Sequence, residues 1–292
     1  LIELGLRPLT IDDVVHVARQ CEKVELSAPA RQRIAAARKV VDDTLAAGIV
    51  AYGISTGFGA LKNKTISPQD QQQLQKNFLS SHAVGVGSAF SEDVSRAILL
   101  ISANGFCLGH SGVRLQTVQT MLELLNRGVH PIIPEKGSVG ASGDLAPLTH
   151  MAQVLTGNGD ASYQGKRMSA SEALQAAGIT PLTLEAKEGL GLSNGTAAMT
   201  AVGALAVHDA QTLAETADVS AAMSLEALMG TDSAMDERIH SAKAHPGQQA
   251  DVIILDAPNH QYLAYQFGVN RIQTVIKKGK VVVDKNKSSP KT

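Results

Sequence analysis

The stretch from Ala197 to Met229 constrains the fold more than any other part of this chain, being rich in Ala, Leu and Met with few polar breaks. Such residues predict one long helix, and a helix apolar nearly all round belongs inside a bundle or at a contact between subunits. Met223, Met229 and Met235 read as core filling. Upstream, the helical style holds throughout, and it continues to about residue 245. Thr10 with Asp13 forms a capping pattern, and Val14, Val17, Ala18 and Cys21 then share one helical face. Residues 28 to 47 are predicted helical with a stop at Gly48, and Ser67-Pro68 opens a helix running through Leu74 and Phe78. Ser91 caps a run bearing Ala97, Ile98, Leu100 and Ile101, and Val118 to Leu125 continues apolar before Gly128 ends that helix. With 292 residues the chain can bury a large core in one or two domains; with no Trp and 3% aromatic residues, Ala, Leu, Val and Ile must pack it. The expected fold class is mainly α, a helical bundle.

The chemistry points elsewhere, to Gly137-Ser138-Val139-Gly140-Ala141-Ser142-Gly143-Asp144-Leu145-Ala146-Pro147-Leu148. In isolation its Ala-Ser-Gly is a glycine-rich turn ahead of a helix that Asp144 would N-cap. Held tightly bent, the same loop can make an electrophile from its own backbone. The amide nitrogen of Gly143 attacks the carbonyl carbon of Ala141, and loss of two waters leaves a five-membered ring carrying a methylidene from Ser142. Gly143 permits the strained approach, Ala141 crowds nothing, and Ser142 supplies the hydroxyl to be eliminated. A helix N-terminus beside the ring would stabilise the negative charge that develops on addition. Ala51-Tyr52-Gly53-Ile54-Ser55-Thr56-Gly57-Phe58-Gly59 is a second sharply bent loop. By themselves, Tyr52 reads as a packing or hydrogen-bonding residue and Asn194-Gly195 as a turn.

With its flanks, the string around Ser142 resembles the signature of the aromatic amino acid ammonia-lyases and aminomutases, whose Ala-Ser-Gly cyclises to methylidene-imidazolone (MIO). Further matches follow in order: the Tyr52 loop, Ser81-His82 followed by Ala83-Val84-Gly85-Val86-Gly87, Asn104, and Gly109-His110-Ser111-Gly112-Val113-Arg114. Ala186-Lys187-Glu188-Gly189-Leu190, Asn194-Gly195-Thr196, Gly230-Thr231-Asp232 and Asp236-Glu237-Arg238-Ile239-His240 continue them, so the resemblance runs from about residue 3 to about residue 248. It implies that MIO forms from Ala141, Ser142 and Gly143 with no external cofactor, that Tyr52 is the acid/base at the substrate's β-carbon, and that Asn194 contacts the ring. A phenol titrates at about 10, so Tyr52 would need surroundings that favour the phenolate. An amide at Asn194 can donate to the enolate-like oxygen formed on addition. Ser81-His82 matches the pair carried by histidine ammonia-lyases, where phenylalanine lyases carry an aromatic-leucine pair and tyrosine lyases His-Leu. An imidazole at His82 can hydrogen-bond a substrate imidazole. The resemblance thus implies deamination of L-histidine to trans-urocanate and ammonia in histidine catabolism, by a homotetramer whose active sites each draw on three subunits.

Near residue 249 the pattern changes. Ala250-Asp251-Val252-Ile253-Ile254-Leu255-Asp256 is β-branched, and Thr274 to Val283 reads as a hairpin turning at Lys278-Gly279. With Asp256-Ala257-Pro258-Asn259-His260 and Phe267-Gly268-Val269-Asn270, this tail resembles the C-terminal strands of amidohydrolase-superfamily enzymes, imidazolonepropionase above all. The expected organisation is therefore a truncated ammonia-lyase-like bundle over residues 1–249, joined between Gly247 and Ala250 to a short β-rich segment over residues 250–292, as a gene fusion would produce. The lyase residues beyond the join are missing, and Asn104-Gly105-Phe106-Cys107 departs from the family's small residues after Asn. The alternative function is an inactive remnant that associates with full-length lyase subunits through the Ala197 to Met229 helix.

The other classes are disfavoured by composition. A net charge of −1 gives no electrostatic case for nucleic acid or a membrane surface. Cys21 and Cys107 form no redox or metal motif, and none of the nine histidines has metal-ligand spacing, so no metal is expected. Neither a signal peptide nor an uninterrupted apolar run of membrane-spanning length is visible, and a cytoplasmic location follows.

Overall fold

Thr10 opens the first helix as its sequence requires: its hydroxyl accepts the Asp13 N–H at 3.2 Å, and the Asp13 carboxylate accepts the Thr10 N–H at 2.8 Å. Two orphan donors are satisfied reciprocally. The structure, a computed structural model, describes residues 1–67, 69–231, 233 and 236–242, with the backbone of strand residues 252–255, 272–277 and 280–284. In chain order come β1 (Ile2–Leu4), α1 (Ile11–Arg19), β2 (Val24–Leu26), α2 (Ala28–Ala46), a 3-10 turn at Gly59–Leu61, α3 (Gln71–His82) and β3 (Val86–Ala89). Next are α4 (Glu92–Phe106), α5 (Leu115–Arg127), β4 (Val129–Pro131), β5 (Pro134–Lys136), α6 (Leu145–Leu155), β6 (Asp160–Tyr163), β7 (Lys166–Ser169) and α7 (Ala170–Ala177). The chain ends with α8 (Glu188–Ser193), α9 (Ala197–Ala227), α10 (Glu237–Ala242), β8 (Val252–Leu255), β9 (Ile272–Lys277) and β10 (Lys280–Asp284). The fold is mainly helical, as expected.

Packing divides the chain into two units, Leu1–His208 and Asp209–Thr292. In the first, α4 supplies the centre of the core: Ala97, Ile98, Leu99, Leu100 and Ala103 are fully buried, with Met121 and Leu124 of α5. Arg96, 1% exposed, lies among them and spends its guanidinium on helix ends. Its Nε and Nη2 donate to the Val17 carbonyl of α1 at 3.0 and 2.7 Å, Nε also to Ala18 at 3.1 Å, and Nη1 to the Leu125 carbonyl of α5 at 3.2 Å. These carbonyls lie at or near helix C-termini, where a cation is best placed. Three small sheets decorate the unit: β1 parallel to β2, β3 antiparallel to β5, and β4-β6-β7 antiparallel. At three or four residues each, their strands are too short to carry a readable alternation. Phe106 and Cys107 are both buried, so the departure after Asn104 is absorbed by the core.

Several local expectations change. Pro68 lies outside the described residues, and α3 starts only at Gln71, because Ser67 and Asp70 close a turn first, the Asp70 N–H reaching the Ser67 carbonyl at 3.0 Å. Ser91 stands at the N-cap of α4, but its hydroxyl bonds the Asp93 carboxylate at 2.5 Å instead of the helix backbone. The long helix exists as α9, yet it buries only Ala197, Ala198, Ala201 and Leu205. Beyond them Leu213, Met223 and Met229 are 70%, 51% and 88% exposed, so Met223 and Met229 do not fill a core; Met235 lies outside the described residues. By length and composition alone the stretch Glu188–Ala227 also contains a window apolar enough to cross a membrane, at mean hydropathy 1.3. Its many alanines raise that mean despite scattered polar residues, which is why no uninterrupted run stands out in the sequence.

In the second unit β8, β9 and β10 form an antiparallel sheet in the order β10-β9-β8, with Lys280 opposite Lys277 and Val252 opposite Ile276. The hairpin strands are thus where the β-branched pattern put them. The turn at residues 278–279, the join at 247–250, residues 256–260 and 267–270 and the final residues lie outside the described residues.

His130 of β4 makes the fold sensitive to acid. Burial first, then the Arg96 cation, holds its pKa down to about 4, although Glu92 Oε1 lies 2.9 Å from Nε2. The unfolded chain binds this proton near pH 6.5. Below that pH the unfolded state therefore gains a proton that the folded state refuses, and stability is lost as pH falls from about 6.5 towards 4, with a slope of up to about 1.4 kcal/mol per unit. Urea unfolding as a function of pH should show this slope in the wild type and its loss in His130→Gln.

Candidate active site

Three hydrogen bonds join the glycine-rich loop to the connection between α8 and α9 and to the first turn of α9. The Asp144 N–H donates to the Gly195 carbonyl at 2.7 Å, the Met199 N–H to Asp144 Oδ2 at 2.9 Å, and Asn194 Nδ2 to Ser142 Oγ at 2.8 Å. Asp144 stands at the N-cap position of α6, but its side chain makes no bond to that helix. Instead it satisfies a first-turn donor of α9 and takes the Ser138 hydroxyl at 3.0 Å. The expected cap is therefore corrected: Asp144 caps the neighbouring helix, because the loop brings its carboxylate there first.

This join forces the backbone between them. Ser142 sits at φ +60° and Gly143 at φ +93°. A left-handed serine costs on the order of 1–3 kcal/mol, and the Asn194 amide meets its hydroxyl in that geometry. A Cβ at position 143 would fall 2.2 Å from the Gly195 oxygen, so only glycine fits. The loop is thus bent at Ser142 and Gly143, and its side chains at Ala141 and Ser142 are exposed.

The other two sequence candidates lie at the ends of a file of rings. The Tyr52 and Phe58 centroids are 6.4 Å apart edge to face, Phe58 and Phe78 are 4.6 Å apart, and Phe78 stacks on His82 at 4.2 Å. His82 Nδ1 lies 2.9 Å from the Phe78 carbonyl, also a neighbour of the Ser81 hydroxyl. The Ser81 hydroxyl lies 2.9 Å from the same Nδ1, so both of these contacts hold the ring by that one nitrogen. Tyr52 is 57% exposed, and its hydroxyl makes no hydrogen bond among the described residues.

Helix α8 connects the two pairs. Its Leu190 packs so closely on the Tyr52 loop that a Cβ at Gly53 would come within 2.7 Å of it, and its Gly189 N–H donates to Gln75 Oε1 of α3 at 2.8 Å. Asn194 is its C-cap. The chain just past His82 also returns to the loop: the Gly85 N–H donates to His150 Nε2 at 3.0 Å, and a Cβ at Gly137 would lie 3.0 Å from the Gly85 Cα. Burial lowers the pKa of His150, which suits the neutral, accepting ring.

Sequence reasoning passed over the group that fixes α8. Glu188 is fully buried, and its carboxylate accepts the Arg114 Nη2 at 2.6 Å, Nε at 3.1 Å and backbone N–H at 3.0 Å, the Glu185 N–H at 2.9 Å, and the Thr117 hydroxyl. Burial pushes this carboxyl up, but the Arg114 and Thr117 hydrogen bonds, with those from the backbone, outweigh it and hold it low. Both residues stand in matched motifs, but nothing in either motif pairs them. Among the described residues no three His, Cys, Asp or Glu side chains gather as a metal would require.

Residues 9–257 match the family model for aromatic amino acid lyases. The histidine ammonia-lyase of Alkaliphilus oremlandii is 52% identical over 240 residues, covering 82% of this chain and 47% of the relative. That of Koribacter versatilis is 55% identical over 240 residues, covering 82% and 46%. In structure, histidine ammonia-lyase from Trypanosoma cruzi aligns with TM-score 0.78 and 40% identity over 85% of this chain and 48% of the other. The chain spans about half the length of the curated relatives it matches. The family match runs past the expected join and stops at residue 257.

Gly143→Ala is expected to break the join at Gly195 and lower stability by about 2–4 kcal/mol. Gly140→Ala, where a Cβ meets nothing within 4 Å at φ +71°, should cost only about 1–2 kcal/mol. Thermal and urea unfolding of both variants check the contrast.

Proposed function

The chain belongs to the aromatic amino acid lyase family, and from that membership we propose that it eliminates ammonia from L-histidine, giving trans-urocanate. The observation that carries the reading is the left-handed Ser142 held by the Asn194 amide at 2.8 Å, in a loop where residue 143 can only be glycine. These residues fit the MIO group, which Ala141, Ser142 and Gly143 would form by loss of two waters. Once formed, it supplies an electrophile for the substrate amine.

The remaining steps belong to ordinary side chains. His82 hydrogen-bonds the substrate imidazole through Nε2, its Nδ1 being turned to the Phe78 carbonyl and the Ser81 hydroxyl. Tyr52 takes the β-proton, the amine leaves as ammonia, and the electron pair freed at the β-carbon becomes the new double bond. Asn194 Nδ2 donates to charge that builds up at the ring, in place of its present bond to Ser142. A homotetramer, a cytoplasmic location and an imidazolonepropionase-like segment from residue 250 complete the proposal. The outward apolar residues of α9, Leu213 and Met223 among them, are what supports assembly through that helix. They equally support the second reading, an inactive partner of full-length lyase subunits.

Intact mass of the denatured chain should fall short of the sequence mass by two waters, mapped to residues 141–143; an unmodified mass leaves the second reading. Ser142→Ala should keep the full mass and release no urocanate. His82→Leu should keep the water loss but raise KM for histidine roughly 10- to 100-fold, as loss of one hydrogen bond to a substrate predicts.

A further inference from the structure

We propose that Glu188, gripped by Arg114 and Thr117, is a positioning residue for the site, setting where Asn194 meets Ser142. The proposal rests on the lyase reading. It starts from where this carboxylate sits on α8, at the entry to a helix that already packs through Gly189 on Gln75 and through Leu190 on the Tyr52 loop. This helix has six residues, too few to be stable by itself. Its N-cap, Lys187, is left-handed at φ +77° and provides no side-chain cap. Glu188 is the first residue of the helix, and its buried carboxylate gathers five donors drawn from Arg114, Thr117 and Glu185.

Arg114 extends the grip, donating from Nη1 to Glu185 Oε1 at 2.8 Å and from Nη2 to the Thr183 carbonyl at 2.6 Å. The segment leading into α8 is thereby wrapped around one guanidinium. Arg38 holds the same segment from α2, donating to the Ala186 carbonyl at 3.1 Å and to Glu185 Oε2 at 3.0 Å. At the other end of α8 the Asn194 N–H still bonds the Leu190 carbonyl at 3.0 Å, so the amide that reaches Ser142 is carried by the helix itself. A shift at Glu188 is transmitted along about 1.7 turns to the Asn194 side chain. Glu188 touches neither Ser142 nor the ring file, and its effect on chemistry is indirect.

Two variants and two readouts test this. Glu188→Gln turns one acceptor oxygen into a donor facing a guanidinium; Thr117→Val removes a single hydroxyl donor at nearly constant volume and should fold. Each is refolded, and the rate of water loss from residues 141–143 is followed by mass spectrometry alongside hydrogen exchange of residues 188–194. Thr117→Val is expected to slow ring formation at least 3-fold and to speed exchange in α8, with Thr117→Ser restoring both. Folded Glu188→Gln should slow it at least 10-fold. A Thr117→Val chain matching wild type in both readouts overturns the proposal, whether or not Glu188→Gln folds. A wild type that never loses water, together with faster α8 exchange in Thr117→Val, overturns the lyase reading and supports the positioning role.

Discussion

The Gly195 carbonyl, taking the Asp144 N–H at 2.7 Å, is the contact around which the site is arranged. It brings two backbones so close that neither position 143 nor the path of the loop is free to vary. Once the backbones meet, the Asp144 carboxylate is already beside the first turn of α9, and the Asn194 amide is already beside Ser142. The strain in the left-handed Ser142 is tolerated because three hydrogen bonds oppose its release.

The ring file from Tyr52 to His82 adds a different constraint. Aromatic residues are scarce in this chain, at 3%, yet four conjugated rings are placed in contact at one location. Phe78 stacking holds His82 by its face, and the Phe78 carbonyl and Ser81 hydroxyl hold it by Nδ1, so the orientation of the ring is set.

Much of this was legible beforehand. Periodicity and caps placed α1, α2, α4 and α5, because those signals lie within a few residues of each other. The bent loop could be read from its glycines, and resemblance pointed to Ser142, Asn194, Tyr52 and His82. What could not be read was pairing over distance. Asp144 has the residue type of a cap for its own helix and serves another; Glu188 and Arg114 lie 74 positions apart and each alone reads as a surface charge. The exposed run of α9 failed for a related reason: composition records how apolar a helix is, and not how much of it one chain covers.

Ser142 and its amide partner are separated by 52 positions along the chain, and Asp144 and Met199 by 55. A chain emerging from its amino end therefore completes the loop long before it completes the clamp. Until residue 199 has been made and folded back, nothing holds Ser142 left-handed, and the loop is an ordinary stretch of peptide. The left-handed serine is in this way deferred in time: a growing or misfolded chain carries Ser142 as an ordinary residue, and only the finished fold holds it bent.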